Sequence, residues 1–298
     1  MNRFFALLLV PFFICCKNSG NKSHSAQDTN KTVEPQQLKL FKVPAELNEI
    51  SGISFCDDHT VVAIQDEEGI LYFYDLLKEE VTRKFEFWKG KDYEDLAVVG
   101  NDLYIVNSSG GIYELKNFRQ GPSKPTVFKT QLKEENNIES LAYDEKHNRL
   151  LLGVKDASID GDDSKKDIYA FDLKTKTLDP KAVYTIRLSE VESYFKGDKL
   201  EEASKKLLKA IGNQNLNDVF RTSALNFNPK TGELYVLSSL NNIIAVLDKE
   251  SRITKILELD GNEFIQPEGL AFSADGKLFI SNEGRKKQAN IIEVTYAE

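Results

Sequence analysis

The chain has 298 residues, of which 41% are hydrophobic, 10% aromatic and 29% charged, and its formal net charge is -8. That supplies a sizeable core under an acidic surface, and the lysines are scattered among Glu and Asp rather than gathered into the basic stripe a nucleic-acid partner requires. Length alone favours two domains, but a repeat running through the body argues for one.

The N-terminus opens with Arg3 and the apolar run Phe4 to Ile14, broken only by Pro11. The run is too short to cross a hydrocarbon core of about 30 Å and reads as the h-region of a secretory signal. It ends on Cys15-Cys16, where the pattern matches a bacterial lipoprotein signal over residues 1–16 with Cys16 as the lipidated N-terminus. Residues 17–36 are almost devoid of apolar side chains, so they are expected to form a flexible polar tether. The expected location is therefore the cell envelope, membrane-anchored through an N-terminal lipid and facing the periplasm or the outer membrane. With Cys15 and Cys16 set aside, Cys56 is the only cysteine of the body, which excludes an intrachain disulfide and makes it a small core residue.

Residues 37–298 carry one recurring phrase: Ser51-Gly52-Ile53-Ser54-Phe55, Glu94-Asp95-Leu96-Ala97-Val98, Glu139-Ser140-Leu141-Ala142-Tyr143, Ser223-Ala224-Leu225-Asn226-Phe227 and Glu268-Gly269-Leu270-Ala271-Phe272. Its central residues stand 43, 45, 84 and 45 positions apart, a propeller-blade period with one insertion. Each copy heads a set of short strands separated by turn residues. In the first blade these are Ile50 to Phe55, Thr60 to Gln65, Ile70 to Asp75 and Val81 to Trp88. The outer strands of the second and third blades are predicted at Thr126 to Leu132 and Ala182 to Leu188. A helical insertion follows at about 189–212, with Ser189 and Glu192 as a capping box and Leu200, Ala203, Leu207 and Ile211 at helical spacing. The last blade stops one strand short, and Gln37 to Val43 is an orphan strand able to complete it. The fold expected is all-β: a five-bladed β-propeller closed by its N-terminal strand, six blades being the alternative count.

In such a blade the first strand lines the channel and the second runs back, so the start of one and the end of the other share a face. That places Glu94, Glu139 and Glu268 around one mouth with Ser51 and Ser223 at the equivalent positions, and Asp66, Asn107, Asp156, Asn282 and Glu283 close by. Carboxylates gathered on one axis repel unless protonated or joined by a cation. The oxygen-rich set suits calcium, with Glu94, Glu139, Glu268, Asp66, Asp156, Asn107 and Asn282 as metal ligands and Ser51, Ser223 and Glu283 facing a further ligand. The same carboxylates could instead pair with Lys155, Arg221 or Arg285. Asp160-Gly161-Asp162-Asp163 lacks the spacing of an EF-hand loop and reads as a solvated turn. His59 and His147 fall in first turns, on the opposite face, so a Ser, His and Asp set is not expected.

The phrases Glu49-Ile50-Ser51-Gly52-Ile53, Tyr93-Glu94-Asp95-Leu96-Ala97, Glu139-Ser140-Leu141-Ala142, Ser223-Ala224-Leu225 and Pro267-Glu268-Gly269-Leu270-Ala271, taken together, resemble the SdiA-regulated (YjiK-like) family from about Leu38 onward. The resemblance implies a five-bladed propeller of the bacterial envelope, distantly related to NHL-repeat, strictosidine-synthase-like and paraoxonase-like propellers, with a calcium site. Two function classes follow. The first is a membrane-tethered, calcium-binding, non-catalytic module for a small-molecule ligand or an envelope protein. The second is a metal-dependent hydrolase of the lactonase, esterase or phosphodiester type, and the missing histidine base favours the first.

Overall fold

The structure, a computed structural model, describes residues 32–33, 35–90, 92–162, 164–194, 220–285 and 287–296. The expected signal with Cys16, residues 17–31 of the tether and residues 195–212 of the helical insertion lie outside the described residues. No described helix is long and apolar enough to cross a membrane.

Five antiparallel sheets form the body. Their first strands are Ile50–Phe55, Tyr93–Val99, Ile138–Asp144, Thr222–Phe227 and Pro267–Phe272, and each is followed in register by a second strand. Neighbouring first strands touch in the order one, two, three, four, five and back to one, so the ring closes with five blades and the six-blade alternative is ruled out.

The packing explains why the second strands read as unbroken apolar runs. Side chains alternate across a strand. In Thr60–Gln65, Val61 and Ala63 join the cluster shared with the fifth blade, while Val62 and Ile64 join the one shared with the second. Both faces are buried between blades, and five hydrophobic clusters, one at each junction, hold the ring. Outer strands such as Glu80–Glu86 alternate half-buried and exposed residues because only one face meets a neighbour.

The N-terminal strand is Pro35–Lys42, and it pairs antiparallel with Asn290–Tyr296 to complete the fifth blade, as the orphan strand predicts. It begins two residues earlier than expected, and Thr32–Val33 pairs in parallel with the outer strand of the fourth blade, Ile253–Glu258. The last residues of the expected tether are therefore part of the sheets.

Close approach near the axis restricts one repeat position. A Cβ on Gly52 would meet Asp95 Oδ1 and stand 2.6 Å from the Asp95 Cα, and one on Gly269 would stand 2.5 Å from the Ser51 carbonyl oxygen. Asp95, itself 2% exposed, accepts from the Leu96 and Leu141 amides at 2.8 Å each, tying the second blade to the third. Of the insertion, Leu188–Tyr194 is helical. The strand Tyr184–Arg187 runs into it with no connecting residue, so Ser189 lies inside the helix instead of capping it. Val191 and Tyr194 are buried against the third and fourth blades, and the Tyr194 hydroxyl donates to the Ile253 carbonyl at 2.6 Å.

Candidate functional site

All five first strands carry an irregularity at the same place. Pairing runs Tyr93 to Asn107 then Asp95 to Val106, Ile138 to Val154 then Ser140 to Gly153, Thr222 to Ser238 then Ala224 to Leu237, and Pro267 to Asn282 then Gly269 to Ser281. The residues left over are Glu94, Glu139, Ser223 and Glu268, and in the first blade the break falls between Ile50 and Ile53, at Ser51-Gly52. A bulge leaves a residue unpaired and re-aims its side chain. Here it turns the first residue of every repeated phrase toward the axis.

The result is a cavity of about 170 Å³ lined by Ser51, Asp66, Glu94, Glu139, Lys155, Ser223, Gln266, Glu268 and Glu283. Five carboxylates thus face one ammonium. Lys155 Nζ pairs with Glu139 Oε1, while Arg285 Nε approaches Glu283 Oε2 only to 3.7 Å and from an exposed position. Among the described residues no hydrogen bond or ion pair ends on the Glu94 carboxylate, and Asp66 Oδ1 is buried without a partner.

Electrostatics follow from that imbalance. Burial, then the charge of Glu139, pushes Glu94 up to about 9. Burial and Glu139 likewise push Glu268 up to about 8, and burial with Glu49 pushes Glu283 up to about 7. Asp66 is raised by burial and Glu49, and Glu139 is raised by burial against the opposing pull of Lys155. Lys155 acts as a counter-charge on Glu94, Glu139, Glu268 and Glu283, which outnumber it.

Seven of the ten residues expected here line the cavity, and three do not. Asn107 accepts from the Gly111 amide at 2.7 Å and closes its own turn. Asn282 donates to Asn290 Oδ1 at 3.0 Å inside the fifth blade, and Asp156 pairs with the Arg221 guanidinium. Register accounts for all three. In the first, third and fifth blades the residue after the pair opposite the bulge reaches the cavity, namely Asp66, Lys155 and Glu283, whereas Ser108 and Ser239 at that position in the other two do not line it; Asn107 and Asn282 stand one position early and Asp156 one late. Gln266, just before the fifth first strand, was not expected, and its polar side chain was the only signal. Among the described residues no group of three or more His, Cys, Asp or Glu side chains stands poised as a metal-ligand set.

His147 lies at the opposite mouth, with Nδ1 2.7 Å from Asp144 Oδ2, and His59 lies in the first turn of the first blade. Asp160 pairs with Lys165 at 2.8 Å and Asp162 accepts from the Ser164 amide at 2.9 Å, a self-satisfied turn.

Among solved structures, the crystal structure of Myxococcus xanthus glutaminyl cyclase matches with a TM-score of 0.59 at 10% identity, covering 90% of this chain and 100% of that one. The PQQ-bound aldose sugar dehydrogenase from Streptomyces coelicolor matches with a TM-score of 0.50 at 10% identity, covering 88% and 100%. At that identity the likeness is one of fold. No curated protein sequence matches the chain. The SdiA-regulated family model matches residues 169–285, from the third blade into the fifth, and this is the family that the five repeated phrases resemble.

Proposed function

We propose that the acidic mouth binds a divalent cation, calcium by the chemistry of its donors, and that the protein is a membrane-tethered binding module whose cation presents this face to a ligand. The observation that carries the reading is the excess of five carboxylates over one lysine in a cavity of about 170 Å³, with one carboxylate oxygen orphaned. Calcium takes six to eight oxygen ligands in irregular geometry, waters included, so side chains now held apart can share one ion. Glu94, Glu268, Asp66 and Glu283 would supply charge, and Ser51 and Ser223 hydroxyl oxygen. The ion would hold a carboxylate or phosphate of a ligand, while Lys155 remains with Glu139.

Calcium titrated into the chelator-treated protein tests this. At a hundredfold excess over its dissociation constant, an ion bound only to the native state adds about 2.7 kcal/mol, on the order of 5–10 °C in Tm for a domain of this size. Above about pH 9, where both carboxyls ionise, Glu94→Gln or Glu268→Gln should raise the Tm in chelator by relieving repulsion, and each should shrink the calcium increment. Metal analysis without calcium and a melt indifferent to calcium and chelator would refute the reading.

The pH dependence has a definite sign. The native carboxyls hold protons that the unfolded chain, with ordinary values near 4.5, releases. In chelator, stability is therefore expected to fall as pH rises from 6 to 9, through the raised native values, and calcium should flatten that slope. A slope of the opposite sign, or one that calcium leaves unchanged, counts against the assignment.

The tether reading rests on the short apolar run ending at Cys15-Cys16 and the polar stretch after it. Replacing both cysteines with Ser should move the protein from the membrane to the soluble fraction. Sedimentation like the wild type's would remove the lipid anchor from the proposal. Screening lactones, esters and phosphodiesters with and without calcium separates the binding module from a hydrolase, and turnover lost on Glu268→Gln would establish the second.

A further inference from the structure

The fifth position of the repeated phrase is Phe55, Val98, Tyr143, Phe227 and Phe272, aromatic in four blades of five. These residues stand at or one position before the ends of the five first strands, at the mouth opposite the carboxylates, and all five line a single cavity of about 500 Å³. The acidic mouth neither uses nor explains them.

Ring contacts between blades brace three of the four aromatics. Phe55 meets Phe279 edge-on at 4.9 Å between centroids, Phe272 meets Tyr235 in the same way at 4.9 Å, and Phe227 meets Tyr184 at 6.4 Å. Yet Phe55, Tyr143, Phe227 and Phe272 all remain only half-buried, with surface turned to the cavity. Rings braced from behind and open in front are pre-organised, so a ligand that meets them orders little. Residues one position earlier are small or polar where they reach the cavity, namely Ser54, Ala97 and Asn226, and they leave the space open. Asp144, the one buried charge there, is matched by Arg149 Nε at 2.8 Å and His147 Nδ1 at 2.7 Å, so no unpaired buried charge demands a counter-ion. The volume lies within the range of about 300–1,000 Å³ typical of small-molecule sites, which are lined by aromatic groups with a few polar ones for orientation.

We infer that this opposite mouth is a second binding site, for an uncharged small molecule with an aromatic ring system, oriented by hydrogen bonds to Asn226 and Ser54. The ring of the ligand packs among the four rim aromatics, each contact adding stacking beyond simple burial. The two ends of one channel thus take different chemistry, a cation at one and an aromatic body at the other.

The probe is 2-naphthol, neutral and soluble, titrated calorimetrically into the full chain. One saturable site per chain is expected, with affinity unchanged by chelator, so that it stands or falls independently of the calcium reading. Tyr143→Leu and Phe272→Leu keep apolar volume but remove a ring, and each is expected to weaken binding roughly three- to tenfold with the circular dichroism spectrum unchanged. Phe128→Leu, on the outer strand of the second blade, should leave the affinity alone. Ala274→Trp, at an exposed turn position on the rim, fills the mouth without disturbing the blade junctions and should abolish binding, which keeps the test open if a ring deletion misfolds. Absence of saturable heat with the wild type, binding that survives Ala274→Trp, or equal weakening by Phe128→Leu overturns the inference.

Discussion

Deleting residues 1–43 is expected to abolish folding, whereas deleting residues 1–36 leaves a folded ring with a slightly lower melting temperature. The shorter deletion removes the two-residue parallel bridge at Thr32–Val33 and the pairing of Pro35 with Tyr296. The longer one removes the whole outer strand of the fifth blade. It takes away Phe41 and Val43, 2% and 1% exposed, from the cluster that joins the fifth blade to the first. Burial of each such side chain contributes about 1.5–3 kcal/mol. Further bonds go with it: the Tyr74 hydroxyl loses the Lys42 carbonyl at 2.8 Å, Gln288 loses the Val43 carbonyl at 2.9 Å, and the Val43 amide no longer reaches Ala289. Set against a typical total stability of about 5–15 kcal/mol, those losses exceed what the ring can spare. Removal also leaves Asn290–Tyr296 as an open edge, which invites aggregation. Thermal melts of both truncations followed by circular dichroism check this, and equal midpoints would mean that the strand does not close the ring.

What the sequence made legible follows from where each element sits. The first strands were readable because each copy places an apolar residue in the blade junction and four of the five place a small residue beside the axis, which keeps Gly52, Ile53, Gly269 and Leu270 in phase. Closure was readable because an unpaired strand at one terminus matched a missing one at the other. Outer strands were harder, since only one face is packed and the pattern weakens. The predicted Thr126 to Leu132 is paired only over Thr126–Phe128, and the third blade splits its outer edge into Thr177–Leu178 and Tyr184–Arg187. In the site, the shared position in the repeated phrase located the three glutamates, but a repeat position does not reveal a bulge. The extra residue in each first strand shifts which partner on the second strand reaches the mouth, which is why Lys155 belongs there and Asn107 and Asn282 do not.

Lys155 is also where the electrostatics of the site can be tested most sharply. Replacing it with Met keeps the aliphatic stem against its neighbours and deletes the one ammonium among five carboxylates. Glu139, whose side chain is only 10% exposed, would lose its ion pair and keep only the Asn137 amide at 3.2 Å and the charge of Arg221. Removing one partner of a buried pair costs about 3–5 kcal/mol, and because Lys155 is itself 23% exposed the lower end applies, about 3 kcal/mol. For a domain of this size that is roughly 6–12 °C in melting temperature, measured in chelator. Adding Glu139→Gln to the same chain should recover most of the loss, since the charge that needed Lys155 is gone and the amide keeps the shape. Calcium should recover part of it without the second substitution, because an ion in the mouth supplies the positive charge that the lysine did. A Lys155→Met protein as stable as the wild type in chelator would show that these carboxylates tolerate one another without any cation, and the case for a cation in the mouth would lose its physical basis.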